Sequence, residues 1–336
     1  MTGSRSCRTP GARHEDLAAV VGARDTRVPS TIARCLSTNP LATILSVPVR
    51  IDHLCLVAIA GCGRFGFTEH ALVDGDRSDT NAACSFGPWS APVAVTEVDS
   101  LLRDYGAQIS ADGLTLYFDS NRDGNEDLFV ATRPTRTSLF GSPPPKLLEL
   151  DTANPEDNAS PRSDGLELVF HTGMCLMSTR RAATSAPWSA PTLTSLCGVN
   201  GAFIANGGLT LYYNSVVDLK FQGTLQVANR TSVQDDFAPG SPIAELAGGS
   251  AKGYPALSGD ELTMYFESYS SGSNLDLFQV TRATKASAWG TPVAIDAVNT
   301  TADEVDASVT ADGTELYFSS GISGNQHIYR STRSCL

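Results

Sequence analysis

Carboxylates dominate the residues of this chain that could do chemistry. Asp104, Glu156, Asp157, Asp303, Glu304 and Asp306 fall in polar stretches between short apolar runs, and the corresponding stretches between them carry the aromatics Phe203 and Tyr254. Acids beside aromatic faces suit a cationic or metal-bridged ligand. A second set, Asp119, Asn121 and Asp123 before Gly124, matches the opening half of a calcium loop. The match then fails, because the twelfth position is Val130, where a bidentate Glu is required. Asp-Gly at such a place is also ordinary turn chemistry. Ca2+ at this turn is the one cofactor the sequence suggests, and it suggests it weakly by motif.

Catalytic motifs are sparse. Three histidines follow residue 62, namely His70, His171 and His327, with no Ser-His-Asp order, metal-spaced cluster or phosphate loop around them. A glycosidase would need two inward carboxylates at a defined separation. Glu156, Glu304 and Asp306 are the candidates, so a carbohydrate-active enzyme stands as the alternative to a binding module.

What must position these residues is a repeat. Ser110–Phe118 reads SADGLTLYF, and its relatives are RSDGLELVF (162–170), ANGGLTLYY (205–213), SGDELTMYF (258–266) and TADGTELYF (310–318). The turn positions Asp112, Asp164, Gly207, Asp260 and Asp312 are 52, 43, 53 and 52 residues apart, the span of one four-stranded propeller blade. A Thr-Arg or Asn-Arg motif follows each copy, ending at Arg133, Arg180, Arg230, Arg282 and Arg333. Another precedes each: Trp89-Ser-Ala-Pro92, Phe140-Gly-Ser-Pro143, Trp188-Ser-Ala-Pro191, Pro239-Gly-Ser-Pro242 and Trp289-Gly-Thr-Pro292.

These three motifs resemble the TolB-type repeat, a relative of the WD repeat, over about residues 84–335. The resemblance implies an all-β, five-bladed propeller of four-stranded blades, a fold that often presents a surface to protein partners. No separate TolB-like amino-terminal domain accompanies it, so the TolB role is not implied.

In blade one, strands are expected at 105–110, 114–119, 127–132 and 144–150. Each blade's Asp and Arg end up at one edge, which makes Asp112–Arg133, Asp164–Arg180, Asp260–Arg282 and Asp312–Arg333 candidate pairs. The recurring tryptophans read as packing between blades. Blade five lacks a fourth strand after Arg333, and Ala91–Val98 resembles the missing one. The amino-terminal strand should therefore complete the last blade and leave no open edge. Cys84 with Cys335 and Cys175 with Cys197 then fall at shared strand ends, giving two disulfides of an oxidising compartment.

The address is written upstream. Arg50 precedes a short apolar run ending Ile59-Ala60-Gly61-Cys62, which is similar to a bacterial lipobox. The run is too short to span a bilayer. The resemblance implies cleavage before Cys62 and lipid on that cysteine, anchoring the chain at a cell envelope, periplasmic or surface-facing. Residues 1–46 then read as an upstream segment outside the protein proper, with initiation near Val47 or Val49, 47–61 as the signal, 62–83 as a tether and 84–336 as the propeller. From Cys62 onward, 17 Lys+Arg face 32 Asp+Glu, a net of −15. That field repels phosphate backbones, so nucleic acid is excluded as a partner. A monomeric propeller presenting a site to a protein or glycan of the envelope is the expected arrangement.

Overall fold

The computed structural model describes residues 85–336 except 217–222, 270–273 and 323–324. The lipobox, the tether and Cys84 lie outside the described residues. After β1 (Val93–Ala94), five antiparallel blades follow in chain order. Blade one holds β2 (Asp104–Ile109), β3 (Thr115–Ser120) and β4 (Asp127–Thr132). Blade two holds β5 (Glu156–Pro161), β6 (Glu167–Thr172), β7 (Cys175–Arg180) and β8 (Thr192–Cys197). Blade three holds β9 (Val199–Ala205), β10 (Thr210–Ser215), β11 (Leu225–Asn229) and β12 (Ser241–Pro242). Blade four holds β13 (Lys252–Leu257), β14 (Thr263–Tyr269), β15 (Leu275–Thr281) and β16 (Val293–Ala294). Blade five holds β17 (Asp303–Val309), β18 (Glu315–Ile322) and β19 (Asn325–Thr332), with β1 as its fourth strand.

The outermost strands of blades one and five are shorter than the sequence suggested. The fourth strand of blade one reduces to a single bridge between Phe129 and Lys146, and only Val93 and Ala94 of the 91–98 run pair with β19. Prolines flank these segments and remove ladder donors, which keeps them short. Ring closure is nonetheless as expected. Val93 pairs with Arg330 and Ala94 with Tyr329, and Phe86 bridges to Cys335 beyond them. Cys175 pairs in register with Cys197 and is joined to it by a disulfide. Cys335 is also disulfide-bonded.

The apolar interior is divided among the junctions between blades rather than gathered in one core. Five buried clusters each draw on two adjacent blades, as when Tyr117 of blade one packs with Phe170 and Trp188 of blade two. The repeat's apolar-Tyr-Phe text supplies these layers, because alternate residues of β3, β6, β10, β14 and β18 face opposite neighbours.

The repeated arginine is the staple of each junction, and here the sequence reading needs correction. In blade two the residue is Arg181, not Arg180, because its N–H pairs with Leu166 as that of Arg133 pairs with Leu114. Nε of Arg133, Arg181, Arg230, Arg282 and Arg333 donates to the carbonyl of Gly113, Gly165, Gly208, Glu261 and Gly313, at 2.5–2.9 Å. Each guanidinium stacks 4.1–4.7 Å from an aromatic ring: Phe140, Trp188, Phe237, Trp289 and Trp89. Blade three thus uses Phe237, not Pro239, and the first four rings each lie seven residues after their arginine. None of the four expected Asp–Arg pairs forms. The Asp carboxylates cap their own turns instead, accepting the N–H of Leu114, Leu166, Leu262 and Thr314. The arginines turn to the preceding blade, Arg133 to Glu315 at 2.6 Å and Arg230 to Glu167 at 2.5 Å.

Candidate functional site

Every innermost strand carries a bulge against its partner, between Tyr105 and Gln108, Asp157 and Ser160, Asn200 and Phe203, Gly253 and Ala256, and Val305 and Ser308. One residue in each bulge is left-handed: Gly106, Asn158, Gly201, Tyr254 and Asp306, with φ of 50–64°. Gly, Asn and Asp accept that conformation more readily than other residues; a tyrosine in it is uncommon, and such outliers cluster at functional sites. Tyr254 and Asp306, the two bulge positions that hold neither Gly nor Asn, line the same pocket.

The bulges exist because side chains from the second strands thread between innermost strands. Asp119 accepts the N–H of Asn158 at 2.9 Å, Asn214 that of Tyr254 at 3.2 Å, and Glu267 that of Asp306 at 3.3 Å. A Cβ on Gly106 would collide with the Asp119 carboxylate, which together with the positive φ favours glycine there. His171 holds the same place in blade two. It is fully buried, neither ring nitrogen has a partner among the described residues, and burial lowers its pKa to about 4, leaving it neutral.

The pocket, about 330 Å³ in volume, is lined by Arg103, Tyr105, Tyr254, Glu267, Asp303 and Asp306, among others. Burial is the main cause of every carboxylate shift around it. Glu267 is raised well above its usual range, with the Asp306 charge adding to the effect. Asp306 rises to about 6, opposed by Arg103. Asp157 rises to about 7, with its Asn158 hydrogen bond opposing and the charges of Glu126 and Asp306 adding. Asp119 is raised by burial and then by Asp157. None of these four carboxylates makes a salt bridge among the described residues. The nearby Arg103 stacks 3.5 Å from the Tyr105 ring centroid and bonds to Gln326 and Glu126. The Tyr254 hydroxyl accepts from Asn200 at 2.6 Å. Buried acids that lack a cation and take up protons instead form a site that a cation would stabilise.

The structure separates the sequence-chosen residues into three groups. Asp303, Asp306 and Tyr254 line the pocket, and Asp157 couples electrostatically to Asp306. Asp104, Glu156 and Glu304 instead close loops. They are at most 1% exposed. Each accepts the N–H of a residue four earlier, Ser100, Thr152 or Thr300, and the last two also receive its hydroxyl. Asp104 takes a salt bridge from Arg122 in addition. Phe203 lines a different cavity, beside Gly207 and Gly259 of the turns.

Of the calcium-loop residues, Asp119 is committed to the bulge, Asn121 accepts the N–H of Arg103, and Asp123 is exposed. Glu267, Tyr105, Asn214 and His171 were not chosen from the sequence. The signal was present in the position directly after each nine-residue copy, where Asp119, His171, Asn214, Glu267 and Ser319 vary beside otherwise constant text.

No protein-family model and no curated protein matches the sequence. Solved structures do. An α-L-arabinofuranosidase from Podospora anserina, crystallised with cellotriose, superposes with a TM-score of 0.52 at 9% identity over 74% of this chain and 97% of that one. The catalytic domain of a Coprinopsis cinerea α-L-arabinofuranosidase gives 0.50 at 11% over 75% and 97%. TolB from Acinetobacter baumannii gives 0.46 at 14% over 70% of this chain, which spans 56% of that protein's length. At these identities, what the chain shares with its structural neighbours is the propeller fold.

Proposed function

We propose that the propeller is a binding module that takes a small cationic group into the pocket lined by Tyr254, Glu267 and Asp306, and that lipid on Cys62 holds it at a bacterial envelope. One observation carries the first half. The repeat position that elsewhere holds Gly or Asn holds Tyr254 and Asp306 at this pocket, the tyrosine in a backbone conformation that bulky residues rarely adopt. A cation there relieves the repulsion of Asp306 on Glu267, and the face of Tyr254 suits an alkylammonium. The lipobox Ile59–Cys62 and the Cys175–Cys197 disulfide support the address.

Calorimetric titration of the full chain with tetramethylammonium, putrescine and Ca2+ tests the pocket. Binding of one of them that strengthens from pH 5.5 to pH 8, and is lost in Asp306→Asn, is the expected result. Heat-silent titrations with all three, or binding indifferent to Asp306→Asn, would overturn it.

The second reading is a glycoside-cleaving enzyme, favoured by a carboxyl at about pKa 6 and another raised carboxyl in one tyrosine-lined pocket. Turnover of nitrophenyl glycosides that disappears in Glu267→Gln would select it over simple binding.

A further inference from the structure

At the opposite edge of the ring, where the Asp-Gly turns lie, the junctions share a plan and differ in the side chain that covers the turn. A side chain sits over each turn glycine in blades one, two, three and five: Arg136 over Gly113, Thr184 over Gly165, Val233 over Gly208 and Phe86 over Gly313. In blade one, Arg136 reaches across to blade five. Its guanidinium bonds Asp312 at 2.5 Å, Glu315 at 3.1 Å and the hydroxyls of Thr310 and Thr314. The gap between those blades is thereby filled.

Blade two has Thr184 where blade one has Arg136, three residues after the stapling arginine in both. A threonine cannot cross to blade one, and the gap stays open as a cavity of about 590 Å³. Its walls are the counterparts of the residues Arg136 binds: Asp112 for Asp312, Thr115 for Glu315 and Ser110 for Thr310. Asp112 is exposed and makes no salt bridge among the described residues. Its carboxylate caps the Leu114 N–H and takes the Ser110 hydroxyl.

The other wall holds Arg181. Its Nε is anchored on Gly165 as Arg133 is on Gly113, so the outer edge of its guanidinium faces blade one. Arg133 and Arg230 meet Glu315 and Glu167 there, and Arg282 has Glu261 at 4.0 Å. Arg333 meets no carboxylate in that way but is enclosed between Phe86 and Trp89. Arg181 has Trp188 on one face, the Tyr117 hydroxyl as its neutral partner, no salt bridge among the described residues, and the open cavity beside it. The cavity therefore presents a carboxylate without a cation and a guanidinium without an anion, with Tyr117, Val130, Leu147 and Trp188 as apolar lining.

We infer that the cavity between blades one and two is a second binding site, for a basic amino acid. The ligand's guanidinium or ammonium takes the place that Arg136 fills at the preceding junction, against Asp112 and Ser110. Its carboxylate meets Arg181, and its alkyl arm lies on Tyr117 and Trp188.

Titration of the full chain with L-arginine, agmatine and butyrate, followed by NMR at the Trp188 indole that lines this cavity and not the Tyr254 pocket, tests this. L-Arginine should bind at least tenfold more tightly than agmatine, which lacks the carboxylate, or butyrate, which lacks the cation. Thr184→Arg should fill the cavity from within and abolish binding while the variant melts no lower than the parent. Should it fold poorly, Asp112→Asn, which keeps the turn cap, should still weaken binding tenfold or more. Asp306→Asn, in the other pocket, should leave L-arginine binding unchanged. No binding of L-arginine, equal binding of agmatine, binding that survives both cavity variants, or loss of binding in Asp306→Asn would each overturn the inference.

Discussion

The main-chain N–H of Asp306 donates to the Glu267 carboxylate across the junction of blades four and five, 3.3 Å away. That bond lies in a bulge inside the ring, where burial raises the proton affinity of both acids and the Asp306 charge adds to the rise at Glu267. The arrangement opposes stability at neutral pH, and it has a measurable sign.

Acids whose folded pKa exceeds the unfolded value bind protons more tightly when folded. Their contribution is therefore most favourable below the unfolded carboxylate pKa and is lost as pH rises through the folded value. With Asp306 at about 6 and Asp157 at about 7, the loss runs from about pH 4 to pH 7. The melting temperature should fall between pH 5.5 and pH 8, with a cost on the order of a few kcal/mol. Asp306→Asn and Asp157→Asn should flatten that slope. A profile as steep in both variants as in the parent would contradict the assignment.

The junction staples predict a large loss from one carboxylate. Glu315 receives Arg133 and Arg136 and also the Tyr317 hydroxyl, while Arg133 is almost fully buried. Glu315→Ala strands a buried guanidinium and should cost about 3–5 kcal/mol in denaturant unfolding. Substituting the exposed Asp123 by Ala should change stability by less than about 0.5 kcal/mol.

Glu304 and Glu156 should behave as structural residues. Glu304 holds the N–H and hydroxyl of Thr300 and the hydroxyl of Ser320. Glu304→Ala should cost about 1–3 kcal/mol, because it leaves buried donors unsatisfied. Hydrogen exchange of the 299–304 loop should quicken with it.

Non-reducing peptide mapping should join Cys335 to Cys84 and Cys175 to Cys197. Pairing of Cys335 with any cysteine before residue 63 would revise the closure. The proposed lipid anchor requires that, on expression in a bacterial host, Cys62→Ser abolish fatty-acid labelling and release the protein from membranes.

Spacing alone was enough for the ring. A turn motif recurring at 43–53 residues, with strand text after it, demands one blade per copy, and an unpaired last blade demands closure from the other end. Cys175 and Cys197 were legible for the same reason, since strand order fixes which ends meet. Such signals are local and periodic, so they survive without coordinates.

Across-blade partners were not legible. Arg133 finds Glu315 182 residues away, and the in-blade Asp that sequence proximity favoured is occupied by its own turn. Nor could the sequence distinguish Glu304 from Asp306. Two residues apart in one strand, they would be expected on one face; the bulge between Val305 and Ser308 gives Asp306 a left-handed backbone. Glu304 thus closes a loop while Asp306 lines the pocket. Bulges arise from side chains of the neighbouring strand pressing between backbones, a contact that exists only once the blades are packed. The sequence therefore determined how many blades there are and how the ring shuts, and packing alone decided which acids face its interior.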